Sequence, residues 1–244
     1  MIGIVLAAGA GRRLRPVTND LPKALAPVNG ATTILDFTLR NLADVGITDV
    51  VVVVGFAAQA IQDRKADLEQ RYGLRLELVF NEKAEEWNNC YSLWCARDHF
   101  AAGVLLANGD TLHPVSVENT LLAAAGDGVV LALDDVSPLA EEQMKVRLDS
   151  HAQVSRITKQ MPADEADGEY IGVAWIGAGS RGPLTKALED TWRRNPDLYY
   201  EDAFQLLAER GHDVSVAAIG DSPWTEVDDH ADLARARDIA CLLS

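Results

Sequence analysis

The sequence predicts an α/β fold in which one doubly wound, mostly parallel mixed sheet forms a single domain. Three observations predict it. The chain opens on a short continuous apolar run that breaks at a glycine loop. Residues 50–54 are all valine and follow a stretch with helical periodicity. Strand-like and helix-like segments then keep alternating. An unbroken apolar strand is buried on both faces, as in a parallel sheet, and the intervening helices supply the crossovers.

Each element has its own reason. Residues 2–7 are the first strand, closed by Gly9 and Gly11. Residues 34–45 read as a helix, and 50–54 as the second strand before Gly55. A helix over 57–72 and a strand over 74–80 repeat the unit. Residues 89–99 look helical, and 103–107 form a fourth strand ending at Asn108, Gly109 and Asp110. A helix over 116–125 precedes a strand over 128–133. From Met144 the rhythm changes. Residues 144–148 and 154–159 read as a hairpin around Ser150 and His151, and 170–176 as another strand. Helices over 182–193 and 201–210, a strand over 213–218 and a closing helix over 230–243 complete the chain. There is no internal repeat or long linker. The second half extends the same sheet and closes one side of a cleft. In such sheets ligands sit beyond the carboxyl ends of the strands.

Composition narrows the function. The 244 residues carry 22 basic and 37 acidic side chains, a formal charge of −15. That balance argues against a general nucleic-acid or membrane-surface binder, which needs basic residues to replace counterions. A polyanionic substrate would have to be held by a few well-placed cations. Three cysteines, Cys90, Cys95 and Cys241, lack a paired CxxC and exclude a disulfide framework or a cysteine zinc site. The apolar opening has no basic stretch before it and is too short to span a bilayer, so the expectation is a cytoplasmic protein without membrane insertion.

Residues 6–18 read LAAGAGRRLRPVT, and residues 22–25 read PKAL. Glycines after a strand let backbone N–H groups approach a ligand closely. The loop is not a Walker A motif, and Leu14 stands where a dinucleotide fingerprint has its third glycine. Taken alone it is equally a tight turn with surface arginines. With Arg13 and Lys23 it supplies backbone donors, a guanidinium fork and a mobile ammonium, the set a triphosphate needs.

The ordered pattern LAAGxGxRLxPxT…PKAL resembles the nucleotidyltransferases that make nucleoside-diphosphate sugars and related activated alcohols. The resemblance implies the Rossmann-like nucleotide-diphospho-sugar transferase fold, with residues of about 1–135 as the nucleotide-binding part and about 136–244 as the acceptor-binding part of the same sheet. It implies attack of a phosphate or phosphonate oxygen on the α-phosphorus of a nucleoside triphosphate, with release of pyrophosphate. It implies Arg13 and Lys23 as catalytic cations. Leu6, Ala7, Ala8, Gly9, Ala10, Gly11, Asn81, Ser92 and Asn108 would join them around the nucleotide. It implies Mg²⁺ held by Asp110 and by the aspartate of residues 224–228, WTEVD. There Asp228 competes with Asp229, which could instead cap the last helix; the alternation of Glu226 and Asp228 favours Asp228.

Residues 81–93, NEKAEEWNNCYSL, resemble the choline-phosphate cytidylyltransferase branch and its relatives acting on inositol phosphate or aminoethylphosphonate. That branch implies CTP as donor, a small phosphorylated or phosphonylated alcohol or amine as acceptor, and a place in cell-surface polymer or phosphonate synthesis. Tyr199, Tyr200 and Glu201 resemble part of its acceptor site, although a helix start with packed tyrosines would read the same way. Asn88 and Asn89 suit a polar acceptor or a helix cap. Glu169 is grouped with these acceptor residues. Lys145, in residues 141–146 (EEQMKV), departs from the choline pattern and resembles the inositol phosphate and aminoethylphosphonate relatives. On a strand facing the cleft it would suit the acceptor's anion; on an edge strand it would point to solvent. A homodimer is compatible with this reading. Two rivals stand beside it: a sugar-1-phosphate nucleotidyltransferase using UTP or dTTP, and a non-catalytic regulatory subunit on the same fold. The latter tends to lose the triphosphate residues, which are present here.

Overall fold

The computed structural model describes residues 1–243. Strand β1 (Ile2–Leu6) runs into the glycine loop, which returns through the small hairpin β2 (Pro27–Asn29) and β3 (Thr32–Thr33). Helix α1 (Ile34–Asp44) starts at a capping box in which Thr33 and Asp36 exchange side-chain and backbone bonds. Strand β4 (Asp49–Val54), helix α2 (Ala58–Tyr72) and strand β5 (Arg75–Phe80) follow. Helix α3 (Asn89–Cys95) is shorter than its sequence suggests, because the chain tightens into a 3-10 segment over Arg97–Ala102. Then come β6 (Val104–Asn108), β7 (Thr111–Leu112), α4 (Ser116–Ala123) and β8 (Val129–Asp134). The second half holds β9 (Lys145–Leu148), β10 (Val154–Thr158), β11 (Gly168–Ile176), α5 (Arg181–Arg194) and α6 (Tyr200–Glu209). It ends with β12 (Val214–Ala218), β13 (Thr225–Glu226) and α7 (His230–Leu242).

One sheet runs in the order β10-β9-β11-β6-β1-β4-β5, with β8 branching from β11 and β12 pairing with β8. β1 is parallel to β4 and β6, and β4 to β5. This is why their side chains are apolar throughout: Ile4, Val5, Val52 and Val53 are all fully buried. β11 is antiparallel to both β6 and β8, so the second half joins the same sheet instead of forming its own. Where β11 changes partner its register shifts, and Gly172 takes a φ of 82° there. A Cβ at that position would lie 2.5 Å from the Asn108 amide. The glycine lets the bulge close onto the end of β6.

Apolar side chains fill both faces of the sheet, one layer around Phe100, Leu188 and Phe204 and the other around Leu39, Ile61 and Leu121. A smaller cluster, including Leu14, Phe37, Leu112 and Leu233, fastens α7 beneath the glycine loop. The strands of two or three residues, β2, β3, β7 and β13, lie outside the sequence reading. They are too short for an alternation to register. Among the described residues no helix is long and apolar enough to cross a membrane.

Candidate active site

The glycine loop is folded around one lysine. Gly11 adopts a φ of 56°, and a Cβ there would meet the Lys23 stem at 3.1 Å. Lys23 N–H donates to the Gly9 carbonyl at 3.0 Å, and the Thr18 hydroxyl donates to the Gly11 carbonyl at 2.6 Å. The Lys23 backbone is thereby fixed beside β1 while its side chain reaches onward.

It reaches two carboxylates brought together by a ribbon. At the end of β6, Gly109 N–H donates to the Leu6 carbonyl at 2.9 Å, and a Cβ on Gly109 would lie 2.6 Å from that oxygen. Asp110 follows at once. β7 then pairs antiparallel with β13, placing Thr111 opposite Glu226, and Val227 N–H donates to the Asp110 carbonyl at 2.9 Å. Val227 is fully buried, so Glu226 and Asp228 project from the other side. The carboxylates of Asp110, Glu226 and Asp228 come within 4.8 Å of one another.

Lys23 Nζ lies 2.7 Å from Asp110 Oδ2 and 2.5 Å from Asp228 Oδ1, and Arg13 Nη2 lies 2.8 Å from Asp228 Oδ2. Burial alone would lower the Lys23 pKa, but the two aspartates outweigh it and hold the ammonium protonated. Burial raises and Lys23 and Arg13 lower the Asp228 pKa, with a net fall. Among the described residues Glu226 makes no ion pair of this kind. Burial and then the charges of Asp110 and Asp228 push its pKa up to about 7, and Lys23 and Lys159 offset this only in part. Asp229 is the N-cap of α7, accepting from Ala231 N–H at 2.8 Å and Asp232 N–H at 3.0 Å. Asp229 therefore takes the cap, and Asp228 stands in the carboxylate cluster. An all-oxygen set of three close carboxylates suits a hard divalent cation such as Mg²⁺.

These groups line a cavity of about 390 Å³. Leu6, Ala7, Ala8, Gly9, Gly11, Arg13, Lys23, Ser92, Asn108 and Asp110 border it from the first half. Asn88, Asn89, Tyr199, Glu201 and Asp228 border it as well. Other residues assigned from sequence stand elsewhere. Ala10 is half-buried but off the wall. Asn81 is buried behind it and donates to the Ser92 hydroxyl at 2.9 Å. Tyr200 is also buried behind the wall, its hydroxyl donating to Asn108 Oδ1 at 3.0 Å. Glu169 lies beneath the surface, where burial and then Glu226 and Asp134 push its pKa up to about 8.

Lys145 is the clearest correction. It neither faces the cleft nor points to solvent. Its buried ammonium donates to the carbonyls of Ala140, Glu141 and Gln143 at 3.1, 2.7 and 3.2 Å. It organises the loop before β9, with no donor left for an acceptor anion. The lysine that joins Lys23 on the cavity wall is Lys159, just beyond β10, with Nζ 5.1 Å from the centre of the Tyr199 ring. Sequence reasoning missed it because a lysine closing a hairpin carries no local signal. Trp87, Met144 and Tyr170 on the wall were also missed, as was Glu226 as a third carboxylate. Only Glu226 had a usable signal, its i, i+2 spacing to Asp228.

Asn88 and Asn89 tie two helices together. Asn88 Oδ1 accepts from Asn89 N–H at 2.8 Å, and its amide donates to the Asp197 carbonyl at 2.9 Å. Asn89 Oδ1 accepts from Tyr200 N–H at 3.0 Å. The first turn of α6 thereby carries Glu201 to the wall. Glu201 is 5% exposed, its Oε2 has no hydrogen-bond partner, and burial pushes its pKa up to about 8. Cys90 is buried with its thiol on the Leu188 carbonyl, a packing role.

A glycine loop at the end of the first strand, two cations and a carboxylate cluster thus share one cavity on a doubly wound sheet. Residues 2–134 match the nucleotidyl transferase family, and the chain belongs to it. It is 31% identical over 243 residues to the CMP-5'-(3-aminopropyl)phosphonate synthase of Streptomyces rubellomurinus, covering 96% of this chain and 38% of that protein. It is 39% identical over 101 residues to the choline-phosphate cytidylyltransferase of Streptococcus pneumoniae, covering 41% of each. The matched segments thus span about two fifths of these curated relatives. In fold it is similar to the inositol-1-phosphate CTP transferase of T. maritima, with a TM-score of 0.84 at 24% identity over 99% of this chain and 95% of that one.

Proposed function

We propose that the protein transfers a cytidylyl group from CTP to a small phosphorylated or phosphonylated amine or alcohol, releasing pyrophosphate. The observation that carries this reading is the composition of one cavity. Arg13, Lys23 and the carboxylate cluster share it with Lys159, Tyr199 and the unpartnered Glu201. The relatives named for CMP and choline-phosphate chemistry support cytosine as the base and an amine on the acceptor.

In this reading the backbone of residues 8–11 cradles the nucleotide. An acceptor oxygen attacks the α-phosphorus, forming a new P–O bond as the bond to pyrophosphate breaks. Lys23 and Arg13 stabilise the negative charge that builds on the triphosphate. Asp110 and Asp228, with Glu226 beside them, would hold Mg²⁺, which supplies further charge neutralisation at the phosphates. Lys159 binds the acceptor's anionic group, and no protein nucleophile is required. Glu201 and the Tyr199 ring receive the acceptor's amine, because a buried carboxyl without a partner is stabilised by a cation. Tyr200 holds Asn108, and Asn81 holds Ser92, from behind. The first half is then the nucleotide part of the sheet and the second the acceptor part.

Pyrophosphate release with Mg²⁺ tests the reading. CTP, UTP, dTTP and ATP would be crossed with phosphocholine, phosphoethanolamine, aminoethylphosphonate, inositol phosphate, glycerol phosphate and glucose 1-phosphate. Turnover with CTP and an amine-bearing acceptor is expected. Turnover confined to glucose 1-phosphate with UTP or dTTP would replace this reading with the sugar branch. No turnover with any pair would point to a non-catalytic member.

A further inference from the structure

Lys23 stands in two relations at once. Its backbone is locked by the Gly9 carbonyl and its stem packs on Gly11. Its ammonium, with the side chain 11% exposed, is bonded to Asp110 Oδ2 and Asp228 Oδ1. Arg13 takes the other oxygen of Asp228. The chain's own cations therefore hold both oxygens of one aspartate and one oxygen of the other. A divalent ion centred between Asp110 and Asp228 would stand where the ammonium stands, since of their four oxygens only Asp110 Oδ1 lies outside these ion pairs. Ammonium and metal cannot both occupy that position.

We infer that Lys23 acts as an internal counter-cation that excludes free divalent metal and admits it only as the nucleotide chelate. The inference rests on the nucleotidyl-transfer reading of the site. Removing a buried ammonium from two carboxylates is unfavourable unless another anion receives it. Free Mg²⁺ brings no such anion. A triphosphate brings one, together with its own bound ion, so the lysine can swing from the aspartates to the phosphates on a fixed backbone. Arg13, whose side chain is 67% exposed, can follow with little desolvation. Metal and nucleotide then bind with positive coupling, each raising the affinity of the other. The lysine thereby selects the chelated form of the substrate and keeps the carboxylates neutralised before it arrives.

The test is binding of Mn²⁺ alone, followed by electron paramagnetic resonance, with no turnover involved. Lys23→Met is expected to bind free Mn²⁺ roughly tenfold more tightly than wild type, within the usual range of coupling between two ligands. With α,β-methylene-CTP present, wild type should bind Mn²⁺ at least as tightly as the variant. Lys159→Met removes the same charge from the cavity but breaks no ion pair with Asp110 or Asp228, so its gain in free-Mn²⁺ affinity should be well below that of Lys23→Met. If Lys23→Met fails to fold, Lys23→Gln is the second variant, read by melting temperature. Millimolar Mg²⁺ without nucleotide should raise its melting temperature more than that of wild type. Equal affinities in wild type and the Lys23 variants, or an equal gain in Lys159→Met, would overturn the inference and leave the nucleotidyl-transfer reading intact. No Mn²⁺ binding to wild type even with the nucleotide analogue would overturn that reading, and the inference with it.

Discussion

On the proposed reading, Glu201 is the side chain that selects an amine. Its carboxyl is buried at the cavity wall with an oxygen that meets no donor. An unpaired buried carboxyl is unfavourable in the free protein, and a bound ammonium relieves it. A hydrogen bond to a charged group contributes about 1.5–3 kcal/mol, so its loss weakens binding by about tenfold or more. Glu201→Gln is therefore expected to raise KM about tenfold for phosphoethanolamine and aminoethylphosphonate, with little change for inositol phosphate. Steady-state kinetics with the three acceptors checks this, and an equal loss on all three would remove Glu201 from amine recognition. Lys145 carries the opposite lesson. Its place in the sequence suits an acceptor anion, yet its ammonium serves three carbonyls of its own loop. Lys159, without a motif around it, is the one at the wall.

At the scale of elements, the short β7–β13 ribbon and the first turn of α7 decide the carboxylate geometry. The ribbon sets Asp110 against Glu226 and Val227, and the Asp229 cap starts α7 immediately after Asp228. Asp232 closes the cap by accepting from Asp228 N–H at 2.9 Å and Asp229 N–H at 3.1 Å. Losing an N-cap carboxylate costs about 1 kcal/mol of stability. Asp229→Ala should show that loss in chemical denaturation, while keeping turnover within a few-fold because the β7–β13 ribbon and the bond from Asp228 N–H to Asp232 still place Asp228. Loss of activity as complete as in Asp228→Ala would assign Asp229 to the metal instead. The α3–α6 junction works similarly, since Asn89 and Asn88 spend their side chains joining two helix starts.

For the whole molecule, charge sets the pH dependence. Glu169 and Glu201 both rise from 4.5 to about 8 on folding, mainly through burial. Between those values the folded chain holds protons that the unfolded chain has released. Stability from these two groups is therefore complete below pH 4.5 and is lost as pH rises towards 8, by about 1.4 kcal/mol per pH unit for each proton. The formal charge of −15 adds self-repulsion of the same sign. Asp36 acts oppositely. Burial opposes its ionisation, but bonds from Thr33 and the charge of Arg64 hold its pKa below 3.8. Its contribution is present above 3.8 and is lost as pH falls through the lowered value. In metal-free buffer the melting temperature should fall from pH 5 to pH 8. The Glu169→Gln/Glu201→Gln double variant should show a shallower fall. An unchanged slope would mean that these carboxyls ionise normally in the folded protein.

The sequence by itself determined the order of the long elements, since apolar runs and helical periods are local signals written in consecutive residues. It also determined the glycine loop with Arg13 and Lys23, because one chain turn must provide both the backbone approach and the cations. It pointed to Asp110 and Asp228 through motifs 118 positions apart in numbering (228 − 110). Only the tertiary structure decided that Glu226 joins them, that Lys159 replaces Lys145 at the wall, and that Asn81 and Tyr200 stand behind it. Those facts depend on a two-residue ribbon, a bulge at Gly172 and the direction of individual side chains. Each is fixed by packing between distant segments, for which a single stretch of sequence carries no periodicity to read.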